Sequence, residues 1–410
     1  VNLKSDADLV ERYGSPLYVY DLDRAVAARD DLLASLPGGT IVYFSFKANP
    51  HPGIAEALRR GADSSCKAEI SSAGELVAAL TAGFDPLDIL YTGPGKTSEE
   101  VEAAVEAGVR VFSVESVGDL RRVGHAALSQ GATASCLLRV NSSGPGATTS
   151  IRMTGTPSQF GFDSETLPDL MPELRSVPGT RLSGMHLFSL SNAKDEDSLI
   201  AELTHTITAA AKVRDSTGLV PELLDLGGGF ASPYLTPGKR PLYGGLRAAL
   251  EEILDSYFPS WRQGSPRIAA ESGRYLVGDC GRLLCTVTNV KESRGIRFVI
   301  LDAGINVLGG MSGLGRLLPV SVALDGDENG RGSAVANLVG PLCTPGDILG
   351  RNVAVPDLRP GDLVTIPNAG AYGMTASLVM FLGRPAPMEI TLRRDEVVSA
   401  SRVIFTRMQT

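Results

Sequence analysis

At 410 residues the chain exceeds what one hydrophobic core ordinarily serves, so two domains, or one large barrel with an accessory, are expected. Its apolar (43%) and charged (20%) fractions are those of an ordinary globular protein, and a net charge of −8 argues against nucleic acid or an anionic membrane as partner. The five cysteines are scattered, odd in number and without a CxxC pair, which argues against a disulfide or metal framework and for a reducing compartment, the cytoplasm by default.

The polar start Asn2-Leu3-Lys4-Ser5-Asp6 does not read as a signal peptide, and no run is long and apolar enough to cross a bilayer. Ser5 reads as the cap of a helix over 7–13, Gly14 as its stop, and 17–20 as a strand. Short apolar runs follow at 40–48, 62–68, 88–93, 109–115, 135–141, 181–189, 223–228 and 267–272. Amphipathic helical patterns such as 73–80 and 99–105 lie between them, an alternation that implies parallel strands joined by right-handed crossovers. Eight such runs over roughly 240 residues fit a (β/α)8 barrel better than an open doubly wound sheet. After about residue 278 strand-like runs at 283–290, 297–301, 334–339, 362–366 and 402–406 succeed one another without helices, the texture of an all-β domain. The division is thus a barrel over 23–278 and a β domain over 279–410, joined by residues 1–22 through the strand at 17–20.

One stretch of the barrel stands out chemically. Val42-Tyr43-Phe44-Ser45-Phe46 runs directly into Lys47-Ala48-Asn49-Pro50. An ammonium at the mouth of a buried strand is costly unless it is paired, neutralised or used, and a lysine so placed becomes an amine able to attack a carbonyl. A strand-end lysine reaching for water is the plain alternative. In a barrel the active site lies where the strands end. Asp63 falls in the second run and Glu69 just past it; His186 and Ser189 end the sixth, Gly227-Gly228-Gly229 the seventh, and Glu271-Ser272-Gly273-Arg274 the eighth. Structural residues should be divided between both ends of the barrel, whereas these gather on one rim.

Each has a reading from its own chemistry. A triple glycine lets backbone N–H groups approach an anion closely, although a tight turn would use the same residues. Arg274 supplies a fixed cation and Ser189 a hydroxyl. Glu271 follows Ile268-Ala269-Ala270, so it is either a buried ion pair with Arg274 or a working carboxylate. His186 is either a satisfied core residue or a flat ring able to stack on a planar ligand.

A lysine amine, an anion cradle, a carboxylate and a stacking imidazole together describe a pyridoxal phosphate pocket. Over essentially the whole chain, the sequence resembles the fold-type III pyridoxal-phosphate decarboxylases, the ornithine/diaminopimelate decarboxylase family. Six motifs carry the resemblance in order: Lys47-Ala48-Asn49, His186 to Ser189, Gly227 to Phe230, Glu271-Ser272-Gly273-Arg274 with serine in place of the family's proline, Gly340-Pro341-Leu342-Cys343 to Asp347, and Gly370-Ala371-Tyr372. The resemblance implies a barrel plus β domain, the layout of alanine racemase. Lys47 would hold the cofactor as a Schiff base, with Asp63 in the same pocket. Ser189, Gly228, Gly229, Arg274 and Tyr372 would bind the phosphate, and Gly273 would also bind the cofactor. Glu271 would keep the ring nitrogen protonated, where similar racemases place an arginine. Cys343 would return a proton after CO2 leaves, unless it is merely a buried small hydrophobe. Acting across subunits, it implies a homodimer with shared sites.

The departures bear on substrate. Enzymes of this family that act on free diamines or diaminopimelate carry an acid directly after the cysteine to read the distal ammonium; here Thr344 follows. With the Gly-rich segment up to Arg316, this variant looks more like a side branch of specialised biosynthesis whose amino acid is joined to a carrier protein. The expected activity is removal of the α-carboxylate of such a modified or carrier-bound amino acid, with Thr344 and Arg316 on the substrate. Its rivals are a diaminopimelate decarboxylase, an amino-acid racemase of the same layout and a non-enzymatic pyridoxal phosphate protein.

Overall fold

Parallel strands buried on both faces need near-continuous apolar, β-branched or aromatic runs, and the barrel strands are of this kind. They are β1 (Ile41–Ser45), β2 (Lys67–Ile70), β3 (Ile89–Tyr91), β4 (Val111–Val114), β5 (Ala134–Asn141), β6 (Thr180–His186), β7 (Leu223–Asp225) and β8 (Arg267–Ser272). All neighbours pair in parallel, β8 with β1 and β4 with β5 among them, so the sheet closes on itself as a (β/α)8 barrel. The computed structural model describes residues 5–61, 65–142, 157–188, 192–193, 195–309, 322, 324 and 333–408. By its contacts the chain divides into two units: residues 28–231 with 241–273, which hold the barrel, and residues 1–27, 232–240 and 274–410.

Several crossover helices begin on a side-chain cap that satisfies an otherwise orphaned N–H. Ser72 caps Ala73–Thr81, Thr97 with Glu100 makes a capping box for Ser98–Glu106, and Ser116 caps Val117–Ser129. Several strand bounds differ from the sequence expectation, the seventh strand ending at Asp225 ahead of its glycines, and two of the differences bear on the site. The first strand stops at Ser45, and Lys47 lies in a single 3-10 turn, Phe46–Ala48. The second occupies 67–70 rather than 62–68: the helix Pro52–Arg59 is followed by a return in which the Cys66 N–H bonds Leu58 O at 3.1 Å, and only then does Lys67 pair with Tyr43. Glu69 therefore lies within the strand.

Side chains alternate along a strand, and a barrel interior is filled in layers drawn from alternate strands. Tyr43, Leu90, Leu137 and Leu223, from β1, β3, β5 and β7, form such a layer with Ala269 of β8. Two residues further toward the strand ends, the same alternation turns Ser45, Arg139, Asp225 and Glu271 inward. The polar site thus sits directly on an apolar floor.

The second unit holds a sheet with spatial order Ile348–Pro356, Ser333–Val339, Ile296–Leu301, Gly281–Ser293, Leu17–Asp21, Met388–Arg393 and Glu396–Ser401, with Leu363–Ile366 also on Gly281–Ser293. Leu17–Asp21 runs antiparallel to the long strand and parallel to Met388–Arg393. Its core joins Leu9, Leu17, Val19, Leu284, Ile390 and Leu392. Leu9 comes from the helix Asp6–Tyr13, which Ser5 and Asp8 cap reciprocally and Gly14 ends at φ +83°. The apolar run at 402–406 is not a strand. Ser401 pairs with Glu389, one residue from the start of its partner strand at Met388, so the residues beyond have no ladder to join. Among the described residues no helix is long and apolar enough to cross a membrane.

Candidate active site

The single turn after β1 sends Lys47 toward β2. Its Nζ lies 3.0 and 3.3 Å from the Glu69 carboxylate oxygens and 5.7 Å from the Phe188 ring centroid. Glu69 is 1% exposed, whereas Lys47 keeps 41% of its side chain open. Thr92 Oγ1 and Ser71 Oγ also donate to Glu69. Burial alone would raise this carboxyl's pKa, but the Lys47 charge and hydroxyl donors including Thr92 and Ser45 outweigh it and hold the pKa below its ordinary value. The lysine is thereby paired and still reachable, a state that the plain strand-end reading does not require.

Deeper in the barrel His186, Asp225 and Glu271 converge, each offering one atom within 4.8 Å of the others. His186 Nδ1 shares a hydrogen bond of 2.8 Å with Ser113 Oγ, and Nε2 lies 3.2 Å from Glu271 Oε1 in a geometry too poor for a hydrogen bond. Desolvation, with the charges of Arg139 and Lys47, lowers the His186 pKa, so the ring is neutral. Asp225 Oδ1 accepts the Gly227 N–H at 2.9 Å, while Oδ2 has no hydrogen-bond partner. Burial, with the neighbouring Glu69 charge, pushes Asp225 up to about 7; burial, then Glu69 and Asp225, raise Glu271 well above the carboxylate range. Glu271 Oε1 and His186 Nε2 are orphaned as well. Buried unpaired acceptors beside a neutral imidazole are suited to a ligand that brings a ring N–H.

The glycine turn packs tightly against the strand that carries Glu271. A Cβ on Gly228 would stand 2.8 Å from Glu271 O and 3.1 Å from Phe188, and Gly227 adopts φ +70° with Leu187 O 2.6 Å from its would-be Cβ. A Cβ on Gly273 would press to 2.7 Å on Ala48 Cβ, beside Lys47. Gly227 and Gly228 require glycine because backbone meets backbone there, and Gly273 because the Ala48 and Ser45 side chains close on it. Arg139, from β5, lies 3.4 Å from Glu115 and stacks on Phe160 and Phe188 at 4.9 and 5.8 Å. Neither Arg139 nor Asp225 stands out by motif alone; the signal that finds them is a charged residue in phase with the inward positions of an apolar strand.

In the other unit the Arg274 guanidinium lies over the rings of Tyr234 and Tyr372, 5.4 and 5.3 Å from their centroids. Tyr234 Oη donates to Tyr372 O at 2.9 Å, and Tyr372 takes the left-handed φ of +51°. Tyr234 is a residue the motifs did not mark. The loop around Cys343 is built on buried Asp347, whose carboxylate accepts the N–H groups of Leu342 and Ile305 at 2.7 and 2.8 Å. Gly304 and Gly340 pack so closely on that carboxylate that a Cβ would come within 2.3–2.4 Å. Cys343 is exposed while the other four cysteines are buried, which removes its reading as a buried hydrophobe. Thr344 Oγ1 turns back to the Gly346 N–H at 3.3 Å. Asp63, Ser189 and Arg316 lie outside the described residues.

The barrel brings together Lys47, His186, Glu271, Gly228 and Gly273, and adds Glu69, Asp225 and Arg139. Residues 22–278 match the family model described as "Pyridoxal-dependent decarboxylase, pyridoxal binding domain". Among curated proteins the chain is 33% identical to the L-glutamyl-[BtrI acyl-carrier protein] decarboxylase of Niallia circulans, over 98% of this chain and 96% of that one. It is 30% identical to the diaminopimelate decarboxylase of Zymomonas mobilis, over 93% and 89%. Among solved structures, the diaminopimelate decarboxylase of M. jannaschii in complex with L-lysine matches with a TM-score of 0.82 and 25% identity, over 95% of this chain and 90% of that one. With the pyridoxal-binding model spanning more than half its length and such relatives alike from end to end, the chain belongs to the pyridoxal-dependent decarboxylases.

Proposed function

We propose that the protein removes the α-carboxylate of an amino acid presented as a thioester on a carrier protein. The observation that carries this reading is the residue after the exposed Cys343: Thr344 is neutral and hydrogen-bonded within its own turn. It offers no charge for a distal ammonium, so a free diamino acid would leave that group unpaired. The glutamyl-carrier decarboxylase relative, alike across almost the whole chain, supports the same reading.

Pyridoxal phosphate, when bound, supplies an aldehyde that captures an amine and an electron-poor ring that takes up the electron pair left by departing CO2. Lys47 is the attachment point, kept within reach by the ionised Glu69. Glu271 would take the ring N–H, and neutral His186 would lie against the ring without competing for that proton. Gly228, Gly229, Ser189, Arg274 and Tyr372 would hold the phosphate, and Gly273 and Asp63 would also bind the cofactor. Cys343 returns a proton to Cα, and Thr344 with Arg316 contacts the substrate. An exposed thiol on the β unit suits delivery to a partner subunit's site, so the working form is a homodimer.

Incubating the loaded enzyme with glutamyl-carrier protein and, separately, with free diaminopimelate tests this. The expected result is loss of the mass of one CO2 from the carrier-bound group alone. Turnover of diaminopimelate without turnover of the carrier-bound group refutes it in favour of a primary-metabolism decarboxylase.

A further inference from the structure

Tyr234 belongs with residues 274–410 to the β unit, where it joins three separate stretches of chain. The stretch 234–238 is laced to the turn at 368–372. The Leu235 N–H bonds Asn368 O at 3.3 Å, and Asn368 Nδ2 donates to Thr236 O at 2.7 Å and to Gly238 O at 3.2 Å. The same turn is seated on the segment that follows Arg274: the Gly370 N–H bonds Gly278 O at 3.0 Å, and Val277 O leaves no room for a Cβ on Gly370. Tyr234 closes the arrangement. Its Oη donates to Tyr372 O at 2.9 Å, and its ring centroid lies 5.4 Å from the Arg274 guanidinium carbon.

We propose that Tyr234 is a positioning residue of the phosphate site, holding Arg274 and Tyr372 in the geometry that grips a phosphate monoester. The inference rests on the reading that these two residues bind the cofactor's phosphate. Tyr372 takes φ +51°, a left-handed conformation that is unfavourable for a bulky residue unless its surroundings impose it. A hydrogen bond to its own carbonyl is a direct means of imposing it. An arginine side chain has much rotamer freedom to lose on binding. Rings lying against the guanidinium face restrict that freedom beforehand and leave the in-plane N–H edge for an anion. Tyr234 thus acts on both members at once, with its hydroxyl on one and its ring on the other. Burial lifts that hydroxyl to about 12 despite the Arg274 charge, so it stays a donor across the ordinary pH range.

The test measures the affinity of the cofactor-free full chain for pyridoxal phosphate and for pyridoxal, which lacks the phosphate, from the change in visible absorbance. Tyr234→Phe keeps the ring and removes the hydroxyl; its Kd for pyridoxal phosphate should rise about fivefold, the worth of one hydrogen bond. Tyr234→Leu removes both and should raise it about thirtyfold. Affinity for pyridoxal should stay at the wild-type value in both variants, so that the preference for the phosphorylated form falls by the same factors. Equal loss for the two ligands overturns the proposal, because it assigns Tyr234 to the fold rather than to the anion. Unchanged affinity for both ligands overturns it as well. If Tyr234→Leu does not fold, Tyr234→Phe decides alone. A preference for the phosphorylated form that survives Arg274→Ala removes the phosphate-site reading, and the positioning with it. A preference lost in Arg274→Ala but kept in the Tyr234 variants removes the positioning alone.

Discussion

Asp225→Asn changes one buried charge and almost nothing else. The side chain is fully buried, its Oδ1 accepts the Gly227 N–H, and Asn keeps both the shape and that acceptor. Burial pushes the aspartate from its ordinary 3.8 to about 7 in the folded protein. A carboxyl with a raised folded pKa is held more tightly protonated by the native state than by the unfolded chain. Its contribution is therefore favourable below about pH 4 and lost as pH rises through about 7. At about 1.4 kcal/mol for each factor of ten in proton affinity, the loss amounts to about 4 kcal/mol. Denaturant unfolding of the cofactor-free protein between pH 4 and pH 8 should show wild type losing stability across this window, while Asp225→Asn loses much less. A residual slope belongs to Glu271, raised for the same reasons. Wild-type and variant profiles that run parallel would refute the placement of an uncompensated carboxylate at Asp225.

Lys47→Ala should abolish the cofactor's visible absorbance, whereas Cys343→Ala should keep the absorbance and slow turnover; an unchanged spectrum in the lysine variant would sink the anchor assignment. Gly228→Ala forces a methyl to 2.8 Å from Glu271 O, so its Kd for pyridoxal phosphate, by fluorescence titration, should weaken at least about tenfold, a loss typical of a backbone cradle that can no longer close. Lys96 is fully buried against Asp119 at 2.8 Å and also donates to Gly93 O. Lys96→Met should cost about 3 kcal/mol in denaturant unfolding by leaving buried Asp119 with the Glu115 N–H as a donor and the half-exposed Arg122 as its counter-charge, and adding Asp119→Leu should recover most of it.

Much of the site was legible because motif and chemistry coincide: a lysine after an apolar strand, glycines where no Cβ fits, a carboxylate in an apolar run. What escaped the sequence was carried by phase and by return of the chain. The expected run at 62–68 is displaced to Lys67–Ile70, because the Cys66 N–H is committed to Leu58 O at the end of the preceding helix and pairing with the first strand begins only at Lys67. Arg139 and Asp225 are inward only because Leu137 and Leu223 are, and that phase is set by barrel closure rather than by local composition. The run at 402–406 has strand residues but no partner, since pairing depends on where Met388–Arg393 begins. Instead its apolar side chains line a groove, which propensity cannot distinguish from a sheet edge.

The electrostatics of the barrel interior tie these residues into one device. Glu69 stays ionised because Lys47 and hydroxyl donors answer it, whereas Asp225 and Glu271 have no such answer and their pKa values rise together. Two like carboxyls at this spacing cannot both ionise cheaply in a low dielectric, so near neutrality they retain a proton between them. Neutral His186, with Nδ1 committed to Ser113, does not take it. A ring nitrogen seated at Glu271 would carry that same proton on itself, leaving the charge of the cluster unchanged while supplying the donor that the orphaned oxygen lacks. On this reasoning Asp225 is what makes Glu271 a receptor for a protonated ring: it raises the cost of an empty, ionised carboxylate and so favours the state in which a cationic N–H lies against it.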